Sequence, residues 1–226
     1  MVQILNTRHE AQMHGIKSLI YGNSGYGKTV LATTAPSPII ISAESGVLSL
    51  AGFDLPMVKV KTVKDLTDIY QWITSAAEAK QFATIYIDSI TEIGETVLAN
   101  AKELSKDPRQ AYGKLMDDMI PLIKAYRDIS GKHVVMTAKQ EASKDELTGI
   151  VLQGPMMPGS KVGQQLPYLF DEVFRLGIGS IPGKPDETYR FLQTAPDLQY
   201  QAKDRSGKLD KMEPPNLSHI FSKILS

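Results

Sequence analysis

The stretch Ile20-Tyr21-Gly22-Asn23-Ser24-Gly25-Tyr26-Gly27-Lys28-Thr29 decides how the rest of the chain is read. It fits G-x-x-x-x-G-K-[ST], a loop whose glycines adopt backbone conformations that strain other residues. Successive N–H groups can then turn inward on phosphate oxygens. Lys28 is placed to reach the outer phosphates and Thr29 to complete the shell of a Mg2+ ion. Ser18-Leu19-Ile20-Tyr21 reads as a short buried strand, and Val30-Leu31-Ala32 opens a helix whose N-terminal dipole favours an anion. Residues 22–30, from Gly22 to Val30, are therefore the expected phosphate cradle, with ATP and Mg2+ as its occupants.

Working outward, Ile39-Ile40-Ile41-Ser42 is a second buried strand, and Glu44 falls just past its end. Ligands of open α/β sheets bind at the carboxyl ends of the strands, so Glu44 is a candidate for polarising the attacking water. A loop carboxylate capping the next helix is the plainer reading. Thr84-Ile85-Tyr86-Ile87-Asp88 is an apolar strand ending in aspartate, the Walker B pattern, which makes Asp88 a metal candidate beside Thr29. Ser89 follows instead of a glutamate, which favours Glu44 as the base over Glu92, one turn into the next helix. His133-Val134-Val135-Met136-Thr137-Ala138 is another core strand. Gln140 beyond it is expected on the same sheet edge as Glu44 and Asp88, as a sensor of the outer phosphate or as plain loop polarity.

Between these strands the pattern turns helical. Thr62-Val63-Lys64-Asp65 resembles a capping box, and Leu66, Ile69, Tyr70, Ile73 and Ala77 follow at helical spacing. Trp72 lies off that stripe and reads as edge packing. Helices are expected over 89–104 and 114–129, the second bent or restarted at Pro121. Residues 141–165 are polar and rich in glycine and proline, and read as a long functional or mobile loop. A strand over 172–176 and a partner over 189–194 are joined by a hairpin connection at 178–185. Residues 200–205 suggest an edge strand, and Pro214-Pro215-Asn216 caps a last helix. Residues 1–16 carry no strong pattern, and His9 and His14 read as surface histidines.

At 226 residues the chain suits one domain, with residues 1–15 as a tail and 214–226 as a C-terminal helix. Twenty-five basic residues balance 25 acidic ones, so global charge gives no argument for nucleic acid or membrane binding. There is no cysteine, which excludes disulfides and thiolate metal sites. No apolar run approaches the roughly 18 residues of a membrane span. A cytoplasmic location is expected, that of a host cell if the chain is phage-encoded.

The alternation of strand and helix, with the loop after the first strand and a late sheet-edge hairpin, resembles the RecA-type P-loop ATPase core. That resemblance implies an α/β fold with a mostly parallel central sheet, flanking helices and a C-terminal antiparallel hairpin. Ile39 to Glu44 looks like its second strand with the catalytic glutamate. Ile85-Tyr86-Ile87-Asp88-Ser89 looks like its Walker B strand, and Thr137-Ala138-Lys139-Gln140 like the strand ending in its switch glutamine. By the same resemblance two DNA loops fall at 106–113 and 141–165, making Arg109, Tyr112, Lys144 and Lys161 candidates for contacting single-stranded DNA. Lys203 and Arg205 resemble cations inserted into a neighbour's ATP site, which implies a homo-oligomer, a ring or a filament.

A narrower resemblance is carried by Gly154-Pro155-Met156-Met157-Pro158-Gly159, by Gln165-Leu166-Pro167-Tyr168-Leu169-Phe170-Asp171-Glu172-Val173 and by Ala202-Lys203-Asp204-Arg205. Together they are similar to bacteriophage nucleotide-binding proteins, short RecA-like ATPases of which some anneal single strands. It implies ATP hydrolysis coupled to recombination or annealing, with a single-strand-binding protein as partner. No separate N-terminal polymerisation domain is read from the sequence. Two rivals remain on the residues alone: a small-molecule phosphotransferase, for which no arginine-rich lid is visible, and a nucleotide switch acting on a protein.

Overall fold

Short apolar runs bounded by glycine, proline and polar residues become the strands, and the longer amphipathic stretches between them become helices. The computed structural model describes residues 4, 6–44, 46–105, 107–144 and 149–226, without the side chains of residues 8, 9, 11, 12, 108, 160 and 161. In chain order the first elements are α1 (Thr7–His14), β1 (Lys17–Gly22), α2 (Lys28–Leu31), β2 (Pro38–Ser42), β3 (Met57–Lys59), α3 (Val63–Ser75) and β4 (Thr84–Asp88). Then come α4 (Ile90–Leu104), α5 (Pro108–Arg127), β5 (His133–Lys144), β6 (Val151–Pro155), α6 (Ser160–Leu169), β7 (Glu172–Ile181) and β8 (Lys184–Gln193). β9 (Lys203–Asp204), β10 (Met212–Glu213) and α7 (Leu217–Leu225) close the chain.

The main path of the sheet is β10-β8-β7-β1-β5-β4-β2-β3. Neighbours from β7 to β3 run parallel. β8 and β10 extend the β7 side antiparallel, β6 pairs with the outer half of β5, and β9 with the start of β7. β1, β2 and β4 are buried along their whole length, which is why they read as unbroken apolar runs. Alternate residues serve the two faces. Leu19, Tyr21, Ile41, Ile87, Met136 and Ala138 meet α3, α4, α5 and α6. Ile20, Ile40, Tyr86 and Val135 meet α2 and α7 on the other face. This is the α/β architecture expected, with β5 inserted between the P-loop strand and the Walker B strand.

Local signals explain several boundaries. Thr62 Oγ1 accepts the Asp65 N–H at 3.2 Å while the Asp65 carboxylate accepts the Thr62 N–H at 2.8 Å, completing the capping box of α3. Asn216 caps α7 by accepting the His219 N–H at 3.0 Å. Trp72 donates to Glu78 at 2.9 Å beside Phe82, an edge role as expected. His133 accepts the Ile16 N–H at 3.1 Å and stacks on Phe221; burial lowers its pKa to about 4, so it serves structure.

Five expectations are corrected. Residues 7–14 form α1 where no pattern was read. The helix expected at 114–129 starts instead at Pro108, capped by Asp107, and runs through Pro121 without a restart. Residues 141–165 are no open loop. β5 continues to Lys144 and pairs with β6, Gln140 opposite Pro155 and Lys144 opposite Val151, before α6 begins; residues 145–148 lie outside the described ones. The late hairpin is longer than read, its strands meeting at a Pro182-Gly183 turn in which Gly183 takes φ 78°. The edge strand at 200–205 shrinks to Lys203–Asp204.

Candidate active site

β1 ends at Gly22 hard against β7. A Cβ there would lie 2.7 Å from the Leu176 carbonyl oxygen, so this position has room for glycine alone. The loop then turns through Gly25 and Gly27, both at positive φ, and Gly27 at φ 103° hands the chain to α2. Tyr86, fully buried on β4, donates its hydroxyl to the Lys28 carbonyl at 2.5 Å and so fixes the start of α2 from two strands away. Lys28 Nζ bends back over the loop, donating to Gly22 O at 2.9 Å and Asn23 O at 3.1 Å. Burial lowers its pKa, and the negative charges of Asp88 and Glu44 work against that shift.

Asp88 is the centre of the second half. It is buried, and both carboxylate oxygens are occupied: Thr29 Oγ1 donates to Oδ2 at 2.6 Å and Thr137 Oγ1 to Oδ1 at 2.5 Å. The sheet register produces this, since Ile87 lies opposite Met136 on β5 and Asp88 opposite Ser42 on β2. The Thr29–Asp88 oxygen pair, hard and anionic at the N-terminus of the P-loop helix, fits a divalent cation such as Mg2+. Past β2, the Ala43 N–H donates to Asp88 O at 2.8 Å, and Glu44 follows directly. Burial raises the Glu44 pKa, with Asp88 and Glu92 adding to it, while a hydrogen bond from Ser89 and the charge of Lys28 oppose.

These groups line one cleft of about 510 Å³. Ser24, Gly25, Gly27, Lys28, Thr29 and Val30 form one side, and Glu44 lines it as expected. Tyr26 does not line the cleft; it is half-buried and packs against the apolar cluster that holds Ile20 and Leu31. Four lining residues were not assigned a place there by sequence reasoning or held only a secondary one: Ser49, Glu92, Lys139 and Arg190. Gln140 is the correction. It is not in the cleft; its Nε2 donates to Gln153 Oε1 at 3.2 Å on β6, and its own Oε1 is buried without a partner. The cleft-facing residue is Lys139, one position earlier, bridged to Glu92 at 2.5 Å and Glu95 at 3.0 Å. Burial lowers the Lys139 pKa, but hydrogen bonds and charge from the two glutamates outweigh it and leave the ammonium above its usual value.

The remaining candidates are differently placed. Arg109 and Tyr112 stand in the first turns of α5, not in a loop, and Tyr112 lies under the Lys102 ammonium at 5.6 Å. Lys144 ends β5 in the hairpin and is exposed. Lys161 lies in the first turn of α6, and its side chain is outside the described residues. Lys203 and Arg205 are not free cations in this chain. Lys203 Nζ donates to Pro167 O at 2.6 Å and to Phe170 O, and Arg205 pairs with Asp171 at 2.7 Å. Both sit beside the start of β7, which aligns with the start of β1, at the opposite end of the sheet from the P-loop.

Fold and site together define a RecA-like P-loop ATPase architecture. A family model described as an AAA domain (AAA_24) matches residues 14–206, from just before β1 to just after β9, and the chain belongs to that family. None of the curated proteins compared matches it. Similar solved structures include a KaiC-like protein from the hyperthermophilic archaeon Pyrococcus horikoshii OT3, 16% identical over 79% of this chain and 77% of that one, with a TM-score of 0.45. Another is the flagellar accessory protein FlaH from Methanocaldococcus jannaschii, 14% identical over 88% and 84%, with a TM-score of 0.47. Similarity at this level bears on neither substrate nor partner. No helix among the described residues is long and apolar enough to cross a membrane.

Proposed function

We propose that the chain binds ATP with Mg2+, hydrolyses it, and does so faster on single-stranded DNA. The observation that carries the hydrolytic reading is the 2.6 Å hydrogen bond between Thr29 of the P-loop and Asp88, at a cleft that Glu44 also lines. Thr29 and Asp88 would hold the Mg2+, which when bound neutralises charge on the phosphates. Lys28 leaves the carbonyls of Gly22 and Asn23 for the outer phosphates, a stronger, charge-assisted partner. Glu44 orients the attacking water and takes its proton; a carboxyl raised by burial is the better acceptor. Lys139 trades Glu92 and Glu95 for the outer phosphate, and because it belongs to β5 that exchange pulls on the β5–β6 hairpin.

The DNA half of the proposal is supported by the likeness to bacteriophage nucleotide-binding proteins and by the continuity of β5 from cleft to hairpin. Assembly into a homo-oligomer, with Lys203 and Arg205 reaching a neighbour's site, belongs to the same proposal and requires both to give up their present partners. The balanced charge of the chain favours one alternative, a nucleotide switch whose partner is a protein. The test is ATP hydrolysis by the purified protein with and without single-stranded DNA, with Lys28→Ala as blank. Stimulation that vanishes in the blank supports the proposal. Hydrolysis indifferent to DNA, with no DNA retained at low salt, leaves the switch.

A further inference from the structure

The cleft has a wall that the P-loop, β2 and β4 do not supply. β7 and β8 run on past the end of β1: Leu176 lies against Gly22, and Ile178, two residues further along β7, is opposite Arg190 on β8. The hairpin therefore stands beside the phosphate loop, and Arg190 reaches across it. Its Nε lies 3.5 Å and its Cζ 3.7 Å from where a Cβ on Gly27 would be. No side-chain hydrogen bond or ion pair joins the Arg190 guanidinium to any described residue.

That lack of a partner sets it apart from Arg127, Arg175 and Arg205, and from the two lysines that share its cleft. Arg127 is paired with Asp128 and Arg205 with Asp171, while Arg175 lies on the Tyr200 ring and bonds Gln193. Within the cleft, Lys28 is held by two carbonyls and Lys139 is neutralised by two glutamates. Glu44 and Glu92 line the same cleft, yet neither is within ion-pair distance of Arg190. A long cation laid on a glycine of an anion-binding loop, with no acid to balance it, is a donor set waiting for an anion. The planar guanidinium suits two oxygens of a phosphate chain at once.

We propose that Arg190 is a phosphate-binding residue supplied in cis by the β7–β8 hairpin. It donates to non-bridging oxygens of the nucleotide's phosphate chain from the hairpin side, while Lys28 and Thr29 approach from α2. The inference rests on the nucleotide-site reading and names one more residue of that site, from an element that the P-loop pattern does not include.

The experiment titrates a ribose-labelled fluorescent ATP analogue, with inorganic tripolyphosphate as competitor, into wild type, Lys28→Ala, Arg190→Ala and Arg190→Lys. Removing charge-assisted bonds should weaken analogue binding roughly tenfold to a hundredfold in Arg190→Ala. Tripolyphosphate should lose by the same factor, Arg190→Lys should recover part of the loss, and the melting temperature should stay at the wild-type value because Arg190 is exposed and unpaired. Wild-type affinity in Arg190→Ala, or tighter binding, overturns the inference, the second by making the guanidinium an obstruction. Loss of the analogue without loss of tripolyphosphate also overturns it, moving the contact to the sugar or base. A wild type that fails to bind, or a Lys28→Ala that binds as well as wild type, overturns the nucleotide site itself and this inference with it.

Discussion

Thr137→Val isolates one bond of the site. Thr137 is fully buried on β5, and its hydroxyl donates to Asp88 Oδ1 at 2.5 Å. Valine has nearly the same shape, so packing is kept and the hydroxyl alone is removed. Losing a hydrogen bond to a charged group costs about 1.5–3 kcal/mol, and the upper half applies because no water reaches Oδ1 to replace it. At about 2–4 °C per kcal/mol for a chain of this size, the melting midpoint falls by roughly 4–12 °C. Thr137→Ser keeps the donor and recovers most of that loss. The substitution also frees one side of Asp88, leaving Thr29 as its only hydroxyl donor. In nucleotide titrations the Mg2+ concentration for half-maximal ATP binding rises, while metal-free ATP binding stays at the wild-type level. Urea unfolding and that Mg2+ titration are the two assays. A Thr137→Val protein within about 0.5 kcal/mol of wild type in urea, with an unchanged Mg2+ midpoint, refutes the account of Asp88. Damage from serine equal to that from valine also refutes it, since serine keeps the hydroxyl that the account makes responsible.

Glu44→Gln should bind ATP at wild-type affinity or better, since it removes a carboxylate beside Asp88, while phosphate release falls roughly 10²–10⁴-fold. A fall of less than about tenfold removes Glu44 from the role of base. Glu172 tests a second buried carboxyl, away from the cleft. Burial first, then Asp204 and Asp171, raise its pKa from the ordinary 4.5 to about 8. Between those values the native protein keeps a proton that the unfolded chain releases, so Glu172 makes stability fall as pH rises through the window. Glu172→Gln should match wild type near pH 4.5 and exceed it near pH 8, by about 1–3 kcal/mol in urea unfolding. An offset that is the same at both pH values sinks the argument.

The parts of the fold that the sequence makes legible are those where burial dictates composition. β1, β2 and β4 are buried on both faces, so their apolar runs leave little choice, and the P-loop needs glycines that nothing else explains. The outer half of β5 is different. Gln140, Glu141, Ser143 and Lys144 are polar because this strand has left the core, and only its partner β6 makes it a strand. Glycine and proline in 149–159 then hide β6, although Val151 and Leu152 stand in it. The start of α5 is concealed in another way: among the described residues 109–114 Ala111 alone is buried, so the apolar stripe begins late. Asp107 as cap with Pro108 at the first helical position was the available signal, and it outranks the missing stripe.

The misplaced sensor follows from the period of two in a strand. Position along the sheet edge puts Lys139 and Gln140 equally near the ends of β2 and β4; the face each presents depends on parity. Thr137 fixes that parity, because its hydroxyl meets Asp88 on the P-loop side. Lys139, two residues on, must share that side, and Gln140 must face Gln153. The error is a single residue, yet it moves the group to the other face of the sheet. It also divides one supposed role between two neighbours. Lys139 meets the cleft and Gln140 meets the hairpin, so a shift of β5 that answers to one is felt by the other without any side chain spanning the sheet.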